Sequence, residues 1–358
     1  MSPTIAIPSS TATVEVSIID TTSTIHCPAS HFVSPGIKGL TNLDAKSYSF
    51  LVEHRPTGKR VIFDLGVRKD WQNYAKPVYD HLIKTGAFTL NVQKNVAEIL
   101  VDNGIGLDTT DEIIWSHARF DHVGDPSTFP GSTSLVVGPG VSAAYLPAYP
   151  ANPSGLLLES DFHGRSFIEL RPSQFDVQIG GYKAHNFFKD GSFYLLDVPG
   201  HAIGHICGLA RTTSASSDST DTFILMGADT VHHAGQLRPS AEVPLPEQIS
   251  PNPYGGSVSC PGEIFESIHP IPEKYQIRPF YRVMVHEDGS TVAHDPAEAE
   301  RSINHLQEFD ALENVFVAFA HDTCLDGVIE TFPAKANGWK AAGWREKSRW
   351  RFLGDWEV

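Results

Sequence analysis

The amino-acid sequence predicts an α+β fold in which strands from both halves of the chain alternate with helices. Residues 14–20 alternate apolar and polar side chains, which is typical of a strand with one buried face. Residues 48–53 and 60–66 are apolar runs joined by a turn containing Pro and Gly, which predicts a hairpin. Apolar residues recur at helical spacing over 92–103, and an acidic start with a proline predicts another helix over 295–312. Periodicity by itself indicates no more than a mixed α and β protein.

Shorter apolar runs bounded by turn residues predict the remaining strands, at 112–115, 134–137, 166–170, 182–188, 192–197, 206–210, 222–226 and 315–320. Residues 77–84 and 263–268 suit short helices. Residues 21–44 are rich in Thr, Pro and Gly and predict a long loop. Long loops in compact domains are usually functional, so this one is interpreted either as a wall of a substrate pocket or as a plain connection.

Length and composition are those of a globular protein with an acidic surface. The chain has 358 residues, of which 41% are hydrophobic and 19% charged, and this is enough for one large domain. Its formal net charge of -15 argues against nucleic acid or an anionic membrane as a partner. Four separated cysteines without a CxxC pattern indicate free thiols in a reducing compartment. With no targeting segment and no apolar stretch that spans a bilayer, we expect a cytoplasmic protein whose partner is a small-molecule substrate. The sequence does not indicate an oligomeric state.

The stretch at residues 115–125 carries three side chains that can bind a metal. His117, Asp121 and His122 lie within six positions, and Gly124 allows a sharp turn behind them. Imidazole and carboxylate groups at this spacing suit zinc or a similar divalent metal. By itself, the stretch is equally compatible with histidines and aspartates that lie together on a surface loop.

Three later strands also end next to a residue of ligand type. One strand leads through a Pro-Gly turn to His201, the next is followed by Asp229, and a late strand is followed by His321. Together with the strand before His117, four strands deliver a histidine or aspartate beyond their C-terminal ends. This repetition favours a common metal site over a chance cluster.

The order of these residues resembles that of the metallo-β-lactamase-fold hydrolases. The shared features are the His-Asp-His stretch, the Pro-Gly-His turn, the aspartate after a strand and the late histidine, and they extend from the first strand to His321. Within that superfamily, the chain is most similar to the acyl-homoserine-lactonase-like branch and its relatives in filamentous fungi. The resemblance implies an αββα sandwich, in which two packed mixed sheets carry helices outside and the metals lie at one edge.

The resemblance also implies two metal ions, with zinc as the expected metal. In the family, a metal-bound hydroxide attacks a carbonyl, and the aspartate that corresponds to Asp121 also handles the proton of the leaving group. The implied function is hydrolysis of a small cyclic ester or cyclic amide, a lactone or lactam, with thioester or phosphodiester hydrolysis as the alternative. The implied ligands are His117 and His201 at site one, Asp121, His122 and His321 at site two, and Asp229 as the bridge.

Arg119 departs from the family pattern, because the family usually has its second histidine there. A guanidinium stays protonated and has no lone pair to offer a metal. We therefore expect site one to be weakened and site two to be better occupied. Arg119 is expected to act in catalysis by pairing with a carboxylate or polarising the substrate carbonyl; alternatively, its side chain turns to solvent. The substitution also leaves open a metal-poor relative that binds a small molecule without turnover.

Further residues near the motifs are candidates for supporting or catalytic roles. His232 stands three residues after Asp229, where related lactonases have a substrate-facing tyrosine. We interpret His232 as a donor to the oxyanion or the leaving group, with a structural role for it or His233 as the alternative. His205 is interpreted as structural rather than as a ligand. Asp64 follows a strand and resembles a family aspartate that orients a metal ligand.

The domain organisation expected from the sequence is a single metallo-β-lactamase-like domain over residues 1–358. The Pro- and Gly-rich residues 236–282 are expected to form an ordered insertion. Four of the six tryptophans lie in the last 20 residues, which indicates an aromatic C-terminal segment that packs onto the body of the protein. The Ser- and Thr-rich residues 214–220 predict a solvent-exposed hairpin tip.

Overall fold

The fold is described by a computed structural model over residues 5–215 and 220–358. The hairpin tip expected at residues 214–220 therefore lies largely outside the described residues. The strands are β1 Glu15–Asp20, β2 Ser23–Pro28, β3 Val33–Ser34, β4 Asn42–Ala45, β5 Tyr48–His54, β6 Lys59–Phe63, β7 Thr89–Val92, β8 Glu112–Ile114, β9 Ser134–Val137, β10 Phe167–Glu169, β11 Val177–Ile179, β12 Tyr182–Asn186, β13 Phe193–Asp197, β14 Ile206–Thr213, β15 Thr222–Met226, β16 Gln248–Ile249, β17 Cys260–Pro261, β18 Arg282–Val283 and β19 Val315–Ala318.

The α-helices are mostly short and lie between the strands: α1 Lys76–Tyr79, α2 Val96–Asp102, α3 Phe120–Val123, α4 Val141–Tyr145, α5 Glu159–Phe162, α6 Pro296–Asp310 and α7 Trp344–Ser348. The longest, α6, begins where the sequence predicts, because the Asp295 carboxylate accepts a hydrogen bond from the Glu298 N–H at 3.0 Å. Its buried face includes Ile303, Leu306 and Phe309 and lies against β19. In the described part of the chain, none of the helices is long and apolar enough to cross a membrane.

One six-stranded sheet has the order β1-β5-β6-β8-β9-β10. β1, β5 and β6 pair antiparallel, whereas β6, β8, β9 and β10 run parallel to one another. Because β6 and β8 are parallel neighbours, their C-terminal ends lie side by side at the same edge of the sheet. Asp64 follows β6, and the stretch at residues 115–125 follows β8. Both therefore emerge at this edge.

The other six-stranded sheet has the order β11-β12-β13-β14-β15-β19. β13, β14 and β15 are successive antiparallel neighbours, and β15 is parallel to β19. β13, β15 and β19 therefore run in one direction, and they deliver His201, Asp229 and His321 at one edge. The Ile206 N–H donates to the Ser116 carbonyl at 2.8 Å, which joins this edge to the edge of the first sheet.

The two sheets contribute to one hydrophobic core, in which Phe63 of β6 and Leu225 of β15 belong to the same buried cluster. Trp115 lies immediately after β8 and is fully buried. Its indole N–H donates to the Val123 carbonyl at 3.1 Å. This bond closes the turn that carries the candidate ligands, so the core fixes the position of the motif.

The expectation that residues 21–44 form one long loop is wrong. They contain β2, β3 and β4, and β2 pairs with both β4 and β7 in a small three-stranded sheet. Ser23, Ile25 and Cys27 are buried on one face of β2, while Thr24 and His26 between them are exposed. The segment has the Thr-, Pro- and Gly-rich composition of a loop. Its Thr residues also favour strands, and strands form here because β2 pairs with segments that are distant in sequence.

The helix expected over residues 92–103 begins later than predicted. Val92 is the last residue of β7, and α2 starts at Val96. The boundary is set by a cap, because the Glu98 carboxylate accepts the Asn95 N–H at 2.8 Å. Val92, an apolar residue at helical spacing, therefore belongs to the preceding strand and not to the helix.

The C-terminal segment and the region at 236–282 both pack against the rest of the protein. Arg238 forms a two-point ion pair with Asp310 at the end of α6, with Nη2–Oδ1 at 2.7 Å and Nε–Oδ2 at 2.8 Å. Arg345 and Arg349 also donate to the Asp310 carbonyl oxygen. The four C-terminal tryptophans are all buried: Trp339, Trp344, Trp350 and Trp356.

Candidate metal centre

The carboxylate of Asp229 lies at the centre of the candidate site. Its Oδ1 atom is 2.9 Å from His122 Nε2 and 3.1 Å from His321 Nε2. Its Oδ2 atom is 3.3 Å from His201 Nε2 and 3.7 Å from His117 Nε2. Each oxygen therefore faces a different pair of imidazole nitrogens, which is the arrangement of a carboxylate that bridges two cations.

Asp121 adds a second carboxylate to one of these pairs. Its Oδ2 atom is 3.4 Å from His321 Nε2, and its Oδ1 atom is 3.9 Å from His122 Nε2. The structure thus brings all six expected ligand residues together, and all six are buried. They form two groups whose ligand atoms lie within 4.8 Å of one another: Asp121, His122, Asp229 and His321 in one, and His117, His201 and Asp229 in the other.

The hydrogen bonding at this site fits a bound divalent cation. Asp121 Oδ1, His122 Nε2 and Asp229 Oδ1 are buried, and among residues 5–215 and 220–358 none of them makes a hydrogen bond of good geometry, although His122 Nε2 and Asp229 Oδ1 are 2.9 Å apart. Buried polar atoms without partners are destabilising and uncommon in folded proteins. Carboxylate oxygens and imidazole nitrogens are ligands that zinc prefers, so one class of ion would satisfy all three atoms.

Hydrogen bonds from outside the cluster orient two of the histidine rings. His122 Nδ1–H donates to Asp64 Oδ2 at 2.8 Å, and His321 Nδ1–H donates to the Lys46 carbonyl at 2.5 Å. Both acceptors lack a hydrogen, so Nδ1 of each ring is the donor and Nε2 is the atom that faces Asp229. Asp64 therefore contacts the candidate ligand that it was expected to orient.

His205 supports Asp229 and does not belong to either group. Its Nδ1–H donates to the Val198 carbonyl at 2.7 Å, and its Nε2 accepts the Asp229 backbone N–H at 3.3 Å. Burial lowers the pKa of His205 to about 4, so the ring is neutral. Both ring nitrogens are occupied by the backbone, in agreement with the structural interpretation of this residue.

The two pairs of histidines have opposite electrostatics. Burial lowers the pKa of His117 and of His201 well below the usual value. Burial also opposes the charged form of His122 and His321, but the Asp229 carboxylate and its neighbours outweigh it. They hold the pKa of His122 well above the usual value and raise that of His321 to about 10. Protons on these rings balance the carboxylates, and a metal ion has to displace them.

Arg119 contacts backbone carbonyls. Its Nη2 atom donates to the carbonyl oxygens of His201, at 3.2 Å, and of Val292. In the described part of the chain, no carboxylate oxygen lies within 4.0 Å of its nitrogens. The expected pairing of Arg119 with a carboxylate is therefore wrong, because the His201 turn and the segment before α6 present their carbonyls to the guanidinium. The side chain is half-buried and does not turn to solvent.

The turn that carries His201 is docked onto the start of α6. The His294 N–H donates to the His201 carbonyl at 2.9 Å, and the Asp295 N–H donates to the Gly200 carbonyl at 2.8 Å. Gly200 has a φ of +117°, and a Cβ at this position would lie 2.1 Å from the Ala299 nitrogen. Glycine is required for this approach. The longest helix of the protein therefore fixes one of the candidate ligands.

A cavity of about 530 Å³ opens onto the site. Asp121, Asp229 and Arg119 line its polar end, and most of the remaining wall is apolar. Phe32 comes from the region at 21–44 and lies in the turn just before β3, so this region does contribute to a wall of the cavity. The apolar wall includes Phe32, Phe88, Phe120 and Leu157.

Sequence reasoning missed two residues that belong to this neighbourhood. Lys46 supports His321 through its carbonyl, which no side-chain pattern marks. Asp161 lies in the cavity wall, where burial raises its pKa to about 7. Its carboxylate accepts the Leu158 N–H at 3.0 Å at the start of α5. The spacing of a helix cap was the signal in the sequence that could have indicated it.

Comparison with characterised proteins identifies close relatives along the whole chain, although no family model matches it. The γ-lactamase FDB1 of Fusarium pseudograminearum is 44% identical over 364 residues, covering 99% of this chain and 85% of the relative. The metallo-hydrolase mfmC of Annulohypoxylon moriforme is 42% identical over 358 residues, covering 99% of this chain and 90% of the relative. The similarity therefore includes all the elements that carry the site.

Comparison with solved structures identifies the fold. A variant of AiiA from B. thuringiensis, with N-decanoyl-L-homoserine bound at its active site, superimposes with a TM-score of 0.57. The superposition covers 90% of this chain and 99% of the AiiA chain, and the two sequences are 16% identical. At that identity the likeness concerns the fold alone, and it confirms the expected αββα sandwich.

Proposed function

Because the chain belongs to the metallo-β-lactamase-fold hydrolases that include the γ-lactamase described above, we propose that it opens a small cyclic amide or cyclic ester by metal-dependent hydrolysis. The observation that carries the proposal is the position of Asp229. Its two oxygens face two pairs of histidines, at the polar end of an apolar cavity. The relatives' names support the type of reaction, and the geometry supports the choice of residues.

The proposed metal is zinc, at the two sites expected from the sequence. When bound, a divalent ion lowers the pKa of water, which supplies a nucleophile at neutral pH, and polarises the attacked carbonyl. Site two offers two histidines and two carboxylates, whereas site one offers two histidines and shares Asp229. Site two is therefore proposed to bind its metal more tightly, and at limiting zinc Arg119→His should raise bound metal toward two ions per chain.

Asp121 is proposed to transfer the proton to the leaving group. It lines the cavity, and its Oδ2 atom is 3.4 Å from His321 Nε2. Burial favours the neutral acid, but His122 and His321 outweigh this effect and hold the pKa of Asp121 below its usual value. The carboxylate is thus ionised before the reaction. It can accept a proton from the nucleophile and then donate it to the departing nitrogen or oxygen.

Arg119 is proposed to hold the His201 turn and to polarise the substrate carbonyl. Its guanidinium is tied to the carbonyls of His201 and Val292, and it lines the polar end of the cavity. A cation fixed in this way stabilises negative charge that develops on a carbonyl oxygen without having to reorganise. The replacement of a metal ligand by arginine is therefore compatible with catalysis.

The cavity favours a compact, largely apolar ring over the alternative substrates. Arg68, a second guanidinium in its lining, is already paired with Asp70 at 2.7 Å, which leaves little positive charge for a phosphodiester. A thiol nucleophile is disfavoured, because burial raises the pKa of Cys27 and of Cys207 to about 12. Ring opening is favoured over thioester hydrolysis, phosphodiester hydrolysis and a metal-poor binding protein, because the relatives along the whole chain include a γ-lactamase and a metallo-hydrolase.

The partner proposed for the protein is its small-molecule substrate.

The cysteines Cys27, Cys207, Cys260 and Cys324 are free. Free thiols support a reducing compartment such as the cytoplasm.

The proposal is tested with one ring in several chemical forms. A γ-lactam, a γ-lactone and a thiolactone of the same ring size, together with an acyclic thioester, are offered to metal-loaded protein, to chelator-stripped protein and to Asp121→Asn. We expect hydrolysis of the lactam or lactone that is lost with the metal, returns with zinc and is abolished in the variant. Asp102→Asn, at an exposed position, is the control. Activity that survives exhaustive metal removal, or activity on the acyclic thioester alone, contradicts the proposal.

A further inference from the structure

His232 lies beside site one with a ring nitrogen aimed at the bridging carboxylate. Its Nε2 atom is 3.3 Å from Asp229 Oδ2, the same oxygen that faces His201 and His117. The residue is 8% exposed. Its Nε2 atom is buried and has no hydrogen-bond partner in the described ranges, 5–215 and 220–358. A buried nitrogen without a well-formed hydrogen bond is normally satisfied by an ordered water or an ion.

The adjacent His233 shows how a structural histidine is accommodated in the same segment. Its Nε2 atom is 3.0 Å from Asp355 Oδ2, and its Nδ1 atom accepts the Gly235 N–H at 3.0 Å. Both ring nitrogens are therefore satisfied by the protein. Of the two neighbouring histidines, His232 is the one whose nitrogen faces the candidate metal centre.

The distances around Asp229 Oδ2 are those of neighbouring donors on one metal ion. Zinc binds imidazole nitrogen at about 2.0–2.1 Å, which places the donors of a tetrahedral site roughly 3.3 Å apart. The nitrogens of His201 and His232 are each 3.3 Å from Oδ2. The nitrogens of His117 and His201 are 3.2 Å from each other. The spacing of His117 and His201 is therefore that of two donors on one ion, and His232 Nε2 is as far from Asp229 Oδ2 as His201 Nε2 is.

A rotation of the His232 ring is needed to complete the site. The group whose ligand atoms all lie within 4.8 Å of one another contains His117, His201 and Asp229, and His232 lies outside it. The backbone of His232 is fixed, because its N–H donates to Gln236 Oε1 at 2.7 Å. Nε2 makes no hydrogen bond of good geometry with the described residues, so turning the ring gives up only its 3.3 Å contact with Asp229 Oδ2.

We propose that His232 is the third histidine of site one, in place of the histidine that Arg119 replaces. Its place in the sequence predicts a donor to the substrate, but the geometry favours a ligand, because its nitrogen shares a carboxylate oxygen with two other candidate ligands. Arg119 contacts the same site through the His201 carbonyl. The inference rests on the proposed function in one respect, since it requires a metal at site one.

Zinc titration against a chromophoric chelator tests the assignment, with wild type, His232→Gln and His233→Gln compared as apoproteins. We expect wild type and His233→Gln to bind two equivalents of zinc. In His232→Gln, the affinity of the weaker equivalent should fall by ~10- to 100-fold or more. Losses of this size already follow when a residue that only supports a metal ligand is replaced. The stronger equivalent should be unchanged. Unaltered binding of both equivalents in His232→Gln, or a single equivalent in wild type, overturns the assignment.

NMR of the cadmium-loaded protein with isotopically labelled histidine identifies the bound nitrogens directly. The site-one cadmium should couple to three histidine nitrogens in wild type and to two in His232→Gln; coupling to two in wild type overturns the proposal. Arg119→His/His232→Gln provides a histidine at the family's usual position and should recover the weaker equivalent. Recovery also shows that the single variant lost a ligand and not its fold, whereas a double variant that folds but does not recover counts against the assignment.

Failure of this inference and failure of the proposed function give different results. If ring opening persists with metal at site two while His232→Gln leaves both affinities unchanged, the assignment of His232 alone is wrong. If wild-type protein binds no metal, both are wrong.

Discussion

The Asp64 carboxylate holds the His122 ring from behind, with Oδ2 accepting the Nδ1–H at 2.8 Å, while Oδ1 accepts the Ser116 N–H at 2.6 Å. Asp64 has a φ of +61°, a conformation that aspartate and asparagine adopt more readily than most residues. One side chain thus joins the ends of β6 and β8 and turns His122 Nε2 toward Asp229. Carboxylates in this position fix the tautomer of a metal-binding histidine and raise its basicity.

Asp64→Asn should weaken metal binding at site two by ~10- to 100-fold. Asparagine tolerates the same backbone conformation, so the change removes the charge that supports His122 with little effect on the turn. Competition with a chelator measures the affinity, and Asp108→Asn at an exposed position is the control. Equal affinities in the two variants would show that the Asp64 contact does not serve the metal.

Arg119→Met should lower kcat/KM, because it removes the charged donor to the His201 and Val292 carbonyls. Hydrogen bonds to charged groups contribute about 1.5–3 kcal/mol, which corresponds to roughly a ten- to hundredfold loss. Arg119→Lys keeps a charge and one donor and should fall between wild type and Arg119→Met. Steady-state kinetics on the best ring substrate measures both. A fully active Arg119→Met would mean that the guanidinium only fills space.

Asp161 should make the protein less stable as pH rises toward neutrality. Burial raises its pKa from 3.8 to about 7, so folding favours the protonated form. That stability is fully present below the unfolded pKa and is lost as pH rises through about 7. At about 1.36 kcal/mol per pKa unit, the change is on the order of a few kcal/mol. Urea unfolding at several pH values should show a flatter profile for Asp161→Asn than for wild type or Glu159→Gln, and parallel profiles would contradict this.

Asp310→Asn should destabilise the protein by about 3–5 kcal/mol, the usual effect of breaking a buried ion pair from one side. The variant leaves the Arg238 guanidinium buried without its carboxylate at the junction of the 236–282 region and α6. Arg238 and its neighbours hold the pKa of Asp310 below the usual value, so this stability is present above the unfolded pKa and is lost as pH falls through the folded one. Denaturant unfolding measures the loss, and Glu308→Gln, at a half-buried position on the same helix, should stay close to wild type.

Much of the fold was predictable because apolar periodicity and caps are local signals. The hairpin of β5 and β6 and the start of α6 at Asp295 follow from them directly. The region at 21–44 did not, because β2 becomes a strand through pairing with β4 and β7, which are distant in sequence. The boundary between β7 and α2 was also not predictable, because Val92 fits both the strand and the helix periodicity.

The candidate ligands were predictable because each one follows a strand, and parallel strands deliver their ends to one edge. The contacts around them were not. Arg119 reaches the Val292 carbonyl across the fold, and His321 is held by the carbonyl of Lys46, two contacts made by backbone atoms that carry no side-chain signal. The direction in which His232 points depends in the same way on packing that a linear pattern does not contain.

Anomalous diffraction at the zinc edge from crystals of the zinc-loaded protein locates the metal without assuming a substrate. We expect two peaks, one on each side of the Asp229 carboxylate. The stronger peak should lie among Asp121, His122 and His321, and the weaker beside His117 and His201. A metal peak away from Asp229, or no peak at this carboxylate in crystals that contain zinc elsewhere, would contradict the account.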